Sequence, residues 1–244
     1  MASTLEAARL TEAHRLAQTR LGVDVVRQIV ASWRLLDPTA LDATIDRWLS
    51  LVVPLVQGHR TDSARLAANY LNVFRTLELG VDAGTFTPIL AEAAPAEALA
   101  TSLVVTGPVQ LKAATARLVP LAAATATAQA ASAAAAMRHA LDGGRHTIEQ
   151  TVDADTRAAG WARVTGGKPC AFCAMVAARG PIYREDTVRF RSHDRCHCTA
   201  EPVYNRGAAW PPRSTALRRV WDDTTRGLPA NEARAAFRAA VEAP

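Results

Sequence analysis

Lysine is nearly absent from this sequence of 244 residues, because only Lys112 and Lys168 are lysines among the 28 basic residues. Arginine supplies the other positive charges, and alanine is abundant at the same time, a combination typical of a GC-rich genome. The arginines alone are therefore weak evidence for phosphate binding. Hydrophobic residues make up 49% of the chain and the mean hydropathy is +0.00, as in ordinary soluble proteins.

Long apolar runs are also missing. Near the N-terminus, Glu6 and Glu12 interrupt any signal segment, so we expect the chain to stay in a reducing cytoplasm. Residues 122–136 include eleven alanines but no Leu, Ile or Phe, which gives too little transfer free energy for a membrane span. This pattern excludes a membrane partner and favours a helix that packs closely against a neighbouring helix, another copy or another protein.

The sequence shows no nucleophile and base arrangement, no glycine-rich phosphate loop and no paired acidic cluster. We therefore expect a protein that is not an enzyme and that binds no small-molecule substrate. The alternative is a zinc-stapled nuclease in which His193, Asp194 or His197 acts on a phosphodiester. That alternative is weak because no histidine follows His197.

Cysteine is equally scarce, and all four cysteines fall in one segment. Cys170 and Cys173 form a C-x-x-C pair, and after nineteen residues the chain reads His193-x-x-Cys196-x-Cys198. Two short pairs of soft ligands, each able to hold one ion across a tight turn, are typical of a structural zinc site. A catalytic site would keep one position open for water, whereas this segment has more ligands than zinc needs.

The spacing leaves the choice of ligands open. We favour a set whose two pairs both have a two-residue gap: Cys170, Cys173, His193 and Cys196. A four-cysteine set that includes Cys198 is close behind, and His197 is expected to point away from both sets. The predicted metal residues are thus Cys170, Cys173, His193, Cys196 and Cys198, and the predicted cofactor is a structural Zn²⁺.

This segment also carries a family resemblance. The motifs are Gly160-Trp161-x-Arg163-Val164, Cys170-x-Phe172-Cys173, Arg179-Gly180-Pro181-x-Tyr183 and His193-x-x-Cys196-x-Cys198. In this order they resemble the C-terminal domain of phage Mu F-like minor head proteins, in the version found in phages and prophages of actinobacteria. The resemblance covers about residues 144–204.

The resemblance implies a structural role in a tailed phage. Such a minor capsid protein lies inside the head near the portal, in the virion, and acts in head assembly or in genome packaging and delivery. Its expected partners are the portal protein or other capsid proteins, and it passes through the host bacterial cytoplasm during assembly. A head-maturation enzyme is the alternative among neighbouring head genes, although no Ser-His-Asp order stands out.

Positive charge is concentrated near the cysteines. Residues 161–200 contain seven basic and three acidic side chains, whereas the first 160 residues contain 14 basic and 15 acidic ones. The seven basic residues are Arg163, Lys168, Arg179, Arg184, Arg189, Arg191 and Arg195. This distribution predicts non-specific contact between the cysteine segment and packaged DNA.

The predicted fold is mainly α, with an N-terminal multi-helix region, a small α+β zinc-stapled domain and a C-terminal arm and helix. We place a helical domain at 1–143, the zinc domain at 144–204 and the arm at 205–244. Asp142-Gly143-Gly144 is expected to end the alanine-rich helix and to form the domain boundary. Pro54 is expected to kink or end another helix, and Thr106-Gly107-Pro108 is expected to end the stretch from Ile89 to Val105.

Within the zinc domain, we expect a short helix from Ala171 to Ala178 and a hairpin of Ile182-Tyr183 with Val188 to Phe190. A further strand is expected from Cys198 to Val203. The aromatic residues Trp161, Phe172, Tyr183 and Phe190 are expected to form the core of this small domain. The arm from Gly207 to Pro229 should be weakly structured, with Trp210 and Trp221 docking either onto a partner or back onto the chain.

Overall fold

The computed structural model describes residues 2–80, 84–183 and 189–243. It is mainly helical, as the sequence predicts, with one small antiparallel sheet near the cysteines. The helices are α1 (Leu5–Ser32), α2 (Leu41–Leu79), α3 (Ala96–Val104), α4 (Gln110–Ala116), α5 (Leu121–Ala154), α6 (Ala171–Ala178), α7 (Pro212–Thr225) and α8 (Ala230–Glu242). The strands are β1 (Gly160–Val164), β2 (Ile182–Tyr183) and β3 (Thr199–Val203), and the short 3-10 helix Trp33–Leu35 follows α1.

Three long helices, α1, α2 and α5, pack together as the frame of the molecule. The sequence Ser3-Thr4-Leu5-Glu6 predicts the start of a helix, and α1 begins there, since the Thr4 hydroxyl accepts a hydrogen bond from the Ala7 amide at 3.1 Å. Helix α2 runs for 39 residues and passes through Pro54 without ending. Of the predicted kink or end at Pro54, the end is wrong, because Val52 and Val56 on either side are fully buried and their burial offsets the lost backbone hydrogen bond. The kink stays a prediction.

The helix predicted from Ile89 to Val105 is also placed differently. Ile89 lies in an extended segment whose amide donates to Thr151 of α5 at 2.9 Å, and α3 begins only at Ala96. The predicted stop at Thr106-Gly107-Pro108 is wrong, because the chain crosses it in a π-helical turn, Val105–Val109, and continues into α4. A wider turn accommodates a proline that has no amide hydrogen.

The predicted end of the alanine-rich helix at Asp142-Gly143-Gly144 is wrong, since α5 continues to Ala154. The two glycines permit close helix contact instead of ending the helix. A Cβ atom on Gly143 would lie 2.1 Å from the Arg60 carbonyl oxygen, and one on Gly144 would lie 2.6 Å from Nε2 of Gln18. The small-residue face of α5 is therefore used largely inside this chain, against α1 and α2.

The core does not divide at residue 143. One buried cluster joins residues of α1, α2 and α5 with residues of the cysteine segment: Ala7, Ala67, Tyr70, Leu71, Phe74, Ile148, Val152, Ala158, Trp161, Cys173, Phe190, Cys196, Cys198 and Ala200. A second cluster fills the other end of the three long helices and includes Trp33, Trp48 and Leu103. The proposed division at 143 and 204 stays a prediction about function. Its first boundary, however, lies inside α5, which packs with both parts.

The sheet has the order β2-β1-β3, with both pairings antiparallel. The predicted strand before Val203 is confirmed as β3, and the predicted helix is confirmed as α6. The predicted hairpin is wrong in its pairing, because β2 pairs with β1 and Phe190 lies in no strand; Val188 lies outside the described residues. The core prediction holds for Trp161 and Phe190, whose rings lie 5.4 Å apart, but Phe172 is 40% exposed. The side chain of Tyr183 lies outside the described part of the structure.

The C-terminal arm is more ordered than predicted. Helix α7 occupies most of it, and α7 and α8 form a pair that packs on α6. Trp210 lies directly against Gly180, where a Cβ atom would be 2.1 Å from the indole, and Trp221 meets Phe237 of α8 edge to face at 5.1 Å. Both tryptophans therefore dock onto their own chain.

Candidate metal centre

The first pair of ligands is set by the start of α6. Cys170 is the N-cap residue of this helix, and its sulfur accepts a hydrogen bond from the Cys173 amide at 3.4 Å. The cap places the Cys170 sulfur at the protein surface and the Cys173 sulfur in the interior. Both thiols of the C-x-x-C pair thus face the same space from one tight turn.

The second set comes from a tight turn before β3. The His193 carbonyl oxygen accepts a hydrogen bond from the Cys196 amide at 3.0 Å, which closes the turn. Arg195 has a φ of 66°, a left-handed conformation that is uncommon outside glycine and that reverses the chain between the two ligands. Cys198 follows two residues after Cys196 and directly precedes β3.

The two sets converge. Nε2 of His193 lies 3.0 Å from the Cys170 sulfur and 3.3 Å from the Cys173 sulfur, and the Cys173 and Cys196 sulfurs are 3.6 Å apart. Two thiolates on one tetrahedral zinc ion, with Zn–S bonds of about 2.3 Å, lie roughly 3.8 Å apart. The Cys173 to Cys196 distance is therefore close to that required of two ligands of the same ion.

All five predicted metal residues belong to two overlapping groups. Cys170, Cys173 and His193 form one group, and Cys173, Cys196 and Cys198 form the other, with ligand atoms within 4.8 Å of one another in each. Cys173 is shared, so it is common to every ligand set that joins the two groups. The four cysteines are free thiols, not disulfides. The cluster could hold a metal ion, and the choice of four ligands from the five stays open.

The His193 ring is oriented for coordination. Its Nδ1 lies 2.7 Å from the Asp194 carbonyl oxygen, which can only accept, so Nδ1 carries the hydrogen. Nε2 is then left with a free lone pair facing the sulfurs of Cys170 and Cys173. In metal-binding histidines, a hydrogen bond from the second ring nitrogen commonly fixes the tautomer and the orientation of the ring.

Helix α5 holds the second turn in place, which sequence reasoning missed. The buried Arg145 guanidinium donates to the carbonyl oxygens of Cys196 at 2.6 Å and Cys198 at 3.0 Å, and it also pairs with Asp142 at 2.8 Å. Arg138 donates to Asp194 at 2.7 Å. A signal was available in the spacing, because Arg138, Asp142 and Arg145 repeat at three and four residues along one helix face. The predicted helix end at Asp142-Gly143-Gly144 placed Arg145 in a different element from Arg138, so this spacing was not considered.

The buried sulfurs differ in their readiness to ionise. Hydrogen bonds from the thiols of Cys173 and Cys198 lower the pKa of Cys196, and the nearby Arg145 guanidinium acts in the same direction. Hydrogen bonding to Cys196 and to Cys198, together with burial, raises the pKa of Cys173. Without a metal ion, the cluster therefore favours one thiolate at Cys196, and the thiolate is the form that binds metals.

His197 lies apart from both ligand groups, as predicted. It lines a mostly apolar groove of about 450 Å³ together with Arg195, Val26 of α1 and Met137 of α5. Although His197 is exposed to solvent, the groove around its ring lowers its pKa by desolvation. Its position in this groove gives it no role in the metal centre.

A family model described as VG15 protein matches residues 4–224, which include the long helices, the candidate metal centre and all but the last residue of α7. The chain belongs to the VG15 family. VG15 proteins are viral and phage proteins, so this is a phage-type protein. No curated protein and no solved structure matches the chain.

The VG15 match covers the helices and the cysteine segment together, in agreement with their shared core. Within the described ranges, none of the helices combines the length and apolar character that crossing a lipid bilayer requires.

Proposed function

We propose that this VG15 protein is a structural minor head protein of a tailed phage or prophage, of the Mu F-like type. In this proposal it lies inside the head near the portal and acts in head assembly or in genome packaging and delivery. The observation that carries the proposal is the convergence of Cys170, Cys173, His193, Cys196 and Cys198, the residues of the Mu F-like motif, in a chain of a phage family.

The proposal includes one structural Zn²⁺ ion. Thiolates and an imidazole are the donors that zinc prefers, and the His193 tautomer and the 3.6 Å sulfur separation fit that ion. The ion would tie the start of α6 to the turn before β3. The candidate ligands are numerous enough to fill all four positions of a structural site. The ion would therefore act by cross-linking the chain.

The helical region offers a surface for the portal or another capsid protein. Leu118, in the turn between α4 and α5, is 91% exposed and has a φ of 63°. Val119 and Leu121 beside it are also exposed. An apolar tip of this kind, held by rigid helices on both sides, is typical of a protein contact.

Contact with packaged DNA belongs to the same proposal. Five of the seven basic residues predicted for it have exposed side chains: Lys168, Arg179, Arg189, Arg191 and Arg195. Arg163 is buried and is unavailable to phosphates, and Arg184 lies outside the described residues. The remaining five can contribute to binding that depends on charge and not on base sequence.

The test is to purify phage particles and to measure the copy number of the protein by mass spectrometry. We expect a few copies per particle, and a lower number for Leu118→Asn, which removes the apolar tip while asparagine tolerates the positive φ. Leu5→Asn, at an exposed leucine of α1, is the matched control and should be incorporated normally. Absence of the unmodified protein from purified particles would contradict the proposal.

A further inference from the structure

Arg163 of β1 is a buried cation beside the cysteine cluster. Only 3% of it is exposed, and its Nη1 lies 3.9 Å from the sulfurs of both Cys173 and Cys196. Nη2 donates to the Arg191 carbonyl oxygen at 2.7 Å, whereas Nε has no hydrogen-bond partner. The guanidinium nitrogen Nη1 is therefore within reach of a long N–H···S hydrogen bond to each of the two sulfurs.

No carboxylate in the described ranges, 2–80, 84–183 and 189–243, forms an ion pair with Arg163. The face of Phe190 lies 3.8 Å from the guanidinium carbon. A ring face attracts a cation but does not neutralise it. Because an isolated buried charge is strongly unfavourable, the sulfurs are the groups among the described residues that are placed to supply the balancing negative charge.

The neighbouring arginines already have partners. Arg145 pairs with Asp142 at 2.8 Å, and Arg138 pairs with Asp194 at 2.7 Å. Among the described residues, Arg163 is thus one positive charge next to the centre that no carboxylate balances. A zinc ion with three thiolates and one neutral imidazole carries a net charge of about −1, and one with four thiolates carries about −2. The positive charge of Arg163 therefore balances the net charge of the ligand set that includes His193.

Building on the zinc centre proposed above, we propose that Arg163 is the counter-cation of that centre and selects a ligand set of three cysteines and His193. It acts as a positioning residue, through its charge on the sulfurs of Cys173 and Cys196. This assigns a role to the arginine of the Trp161-x-Arg163 motif, whose contacts with the Arg191 carbonyl oxygen and the Phe190 ring do not neutralise its charge. It also gives β1 a part in metal binding, although the strand supplies no ligand.

The experiment compares zinc affinities of the full-length chain by competition with a chelator. We expect Arg163→Gln to weaken zinc binding about 10- to 100-fold, the usual effect of losing a residue that supports a metal ligand. Arg163→Lys keeps the charge and should lose less. Arg179→Gln removes an exposed arginine of the same segment and should leave the affinity unchanged.

A second comparison separates charge from packing. Cys170→His replaces an exposed thiolate by a neutral ring and makes the loaded centre neutral. In that background Arg163→Gln should change zinc affinity by less than threefold. An equal loss in both backgrounds would mean that Arg163 acts by packing and would overturn the proposal. If the glutamine variant does not fold, Arg163→Met, which can fill the space beside Phe190, takes its place in the same cycle.

Cobalt(II) substitution gives a spectroscopic readout that responds directly to the charge beside the thiolates. A cation beside a thiolate stabilises the sulfur lone pairs, so its removal should shift the sulfur-to-cobalt charge-transfer band to lower energy. An unchanged band in Arg163→Gln would overturn the proposal while leaving the zinc centre intact. A wild-type chain that binds no zinc or cobalt would overturn both the centre and the role of Arg163, whereas the particle assay tests the head-protein role separately.

Discussion

Gly143 of α5 lies against the backbone of Arg60 in α2, so closely that a Cβ atom would be 2.1 Å from the Arg60 carbonyl oxygen. The Arg60 side chain also donates to the His139 carbonyl oxygen at 3.0 Å. The contact therefore joins α2 and α5 through both backbone and side chain. Gly143 lies two residues before Arg145, whose guanidinium donates to the Cys196 and Cys198 carbonyl oxygens of the candidate metal centre.

The close contact predicts that Gly143→Ala destabilises the protein, although alanine favours helices. The propensity gain of about 1 kcal/mol should be outweighed by a steric cost of roughly 1–3 kcal/mol or more. Gly58→Ala in α2 is the control, because a Cβ atom there meets nothing within 4 Å, and it should stabilise by about 0.5–1 kcal/mol. Urea unfolding of both variants provides the measurement. Equal effects would show that the α2–α5 contact is looser than the structure indicates.

Glycine and proline explain much of what the sequence could and could not predict. Local signals located the elements whose ends depend on local chemistry, such as the Thr4 cap of α1 and the Cys170 turn of α6. Pro54, Pro108 and Gly143 carry the same local signal as a helix end. In each case burial against another helix outweighs that signal, and one sequence does not reveal which partner provides the burial.

The candidate centre was predictable to a similar degree. The spacing of Cys170, Cys173, His193, Cys196 and Cys198 was sufficient to predict five candidate ligands, which the structure brings into two overlapping groups. It did not reveal Arg145 or Arg163, because their contacts with the cysteine segment depend on how α5 and β1 pack around it. Ligands recur at fixed short spacing, whereas the residues that support them come from any element that lies nearby.

Limited proteolysis should not separate the chain at Gly143-Gly144, contrary to what the glycine pair suggests. Both glycines are buried inside a helix, and cleavage needs an exposed, extended backbone. Trypsin should cut first after Arg226, which is exposed between α7 and α8. Mass spectrometry of early fragments is the measurement, and the control is the same digestion in urea. Early fragments ending near Arg145 would show that the two parts separate readily.

The buried His14 makes stability depend on pH. Its ring stacks on Tyr70 at 4.4 Å, its Nε2 has no hydrogen-bond partner, and burial lowers the pKa of His14 to about 3. A folded pKa below the unfolded value of about 6.5 gives stability that is present above pH 6.5 and is lost as the pH falls towards 3. The loss should be on the order of 4 kcal/mol at the acid end.

His14→Phe keeps a ring for stacking on Tyr70 and removes the titrating group. We expect it to be at least as stable as the wild type at pH 7, with a shallower loss of stability between pH 6.5 and 3. Urea unfolding at several pH values is the measurement, and His59→Gln, at a half-buried histidine bonded to Gln28, is the control. An unchanged acid slope in His14→Phe would assign the effect to other groups.

If the exposed basic side chains act together in binding DNA, the affinity should depend steeply on salt concentration. Each phosphate contact contributes about −0.9 to the slope of log K against log salt concentration. Replacing Arg191 and Arg195 together by alanine should therefore make the slope shallower by about 1.8 and weaken binding to all duplexes equally. Fluorescence anisotropy with a random duplex measures this, and Arg27→Ala plus Arg65→Ala, at exposed arginines of α1 and α2, is the control. Strong preference for one duplex sequence at physiological salt would contradict a structural role in the head.

Metal content should distinguish the two ligand sets. Cys173 belongs to both groups, so Cys173→Ser should abolish zinc binding, measured by mass spectrometry of protein purified without chelator. If His193 completes the centre, His193→Ala should bind zinc much more weakly, whereas Cys198→Ser should keep about one ion per chain. The reverse result would favour the four-cysteine set and would leave the Arg163 charge unmatched.

Loss of the metal should also lower the stability of α2 and α5, because Cys173 and Cys196 share a buried cluster with Phe74 and Ile148. Hydrogen exchange of the Cys173→Ser variant should therefore show faster exchange around Phe74 and Ile148 as well as near β1, and normal protection in those helices would show that the cysteine segment unfolds alone.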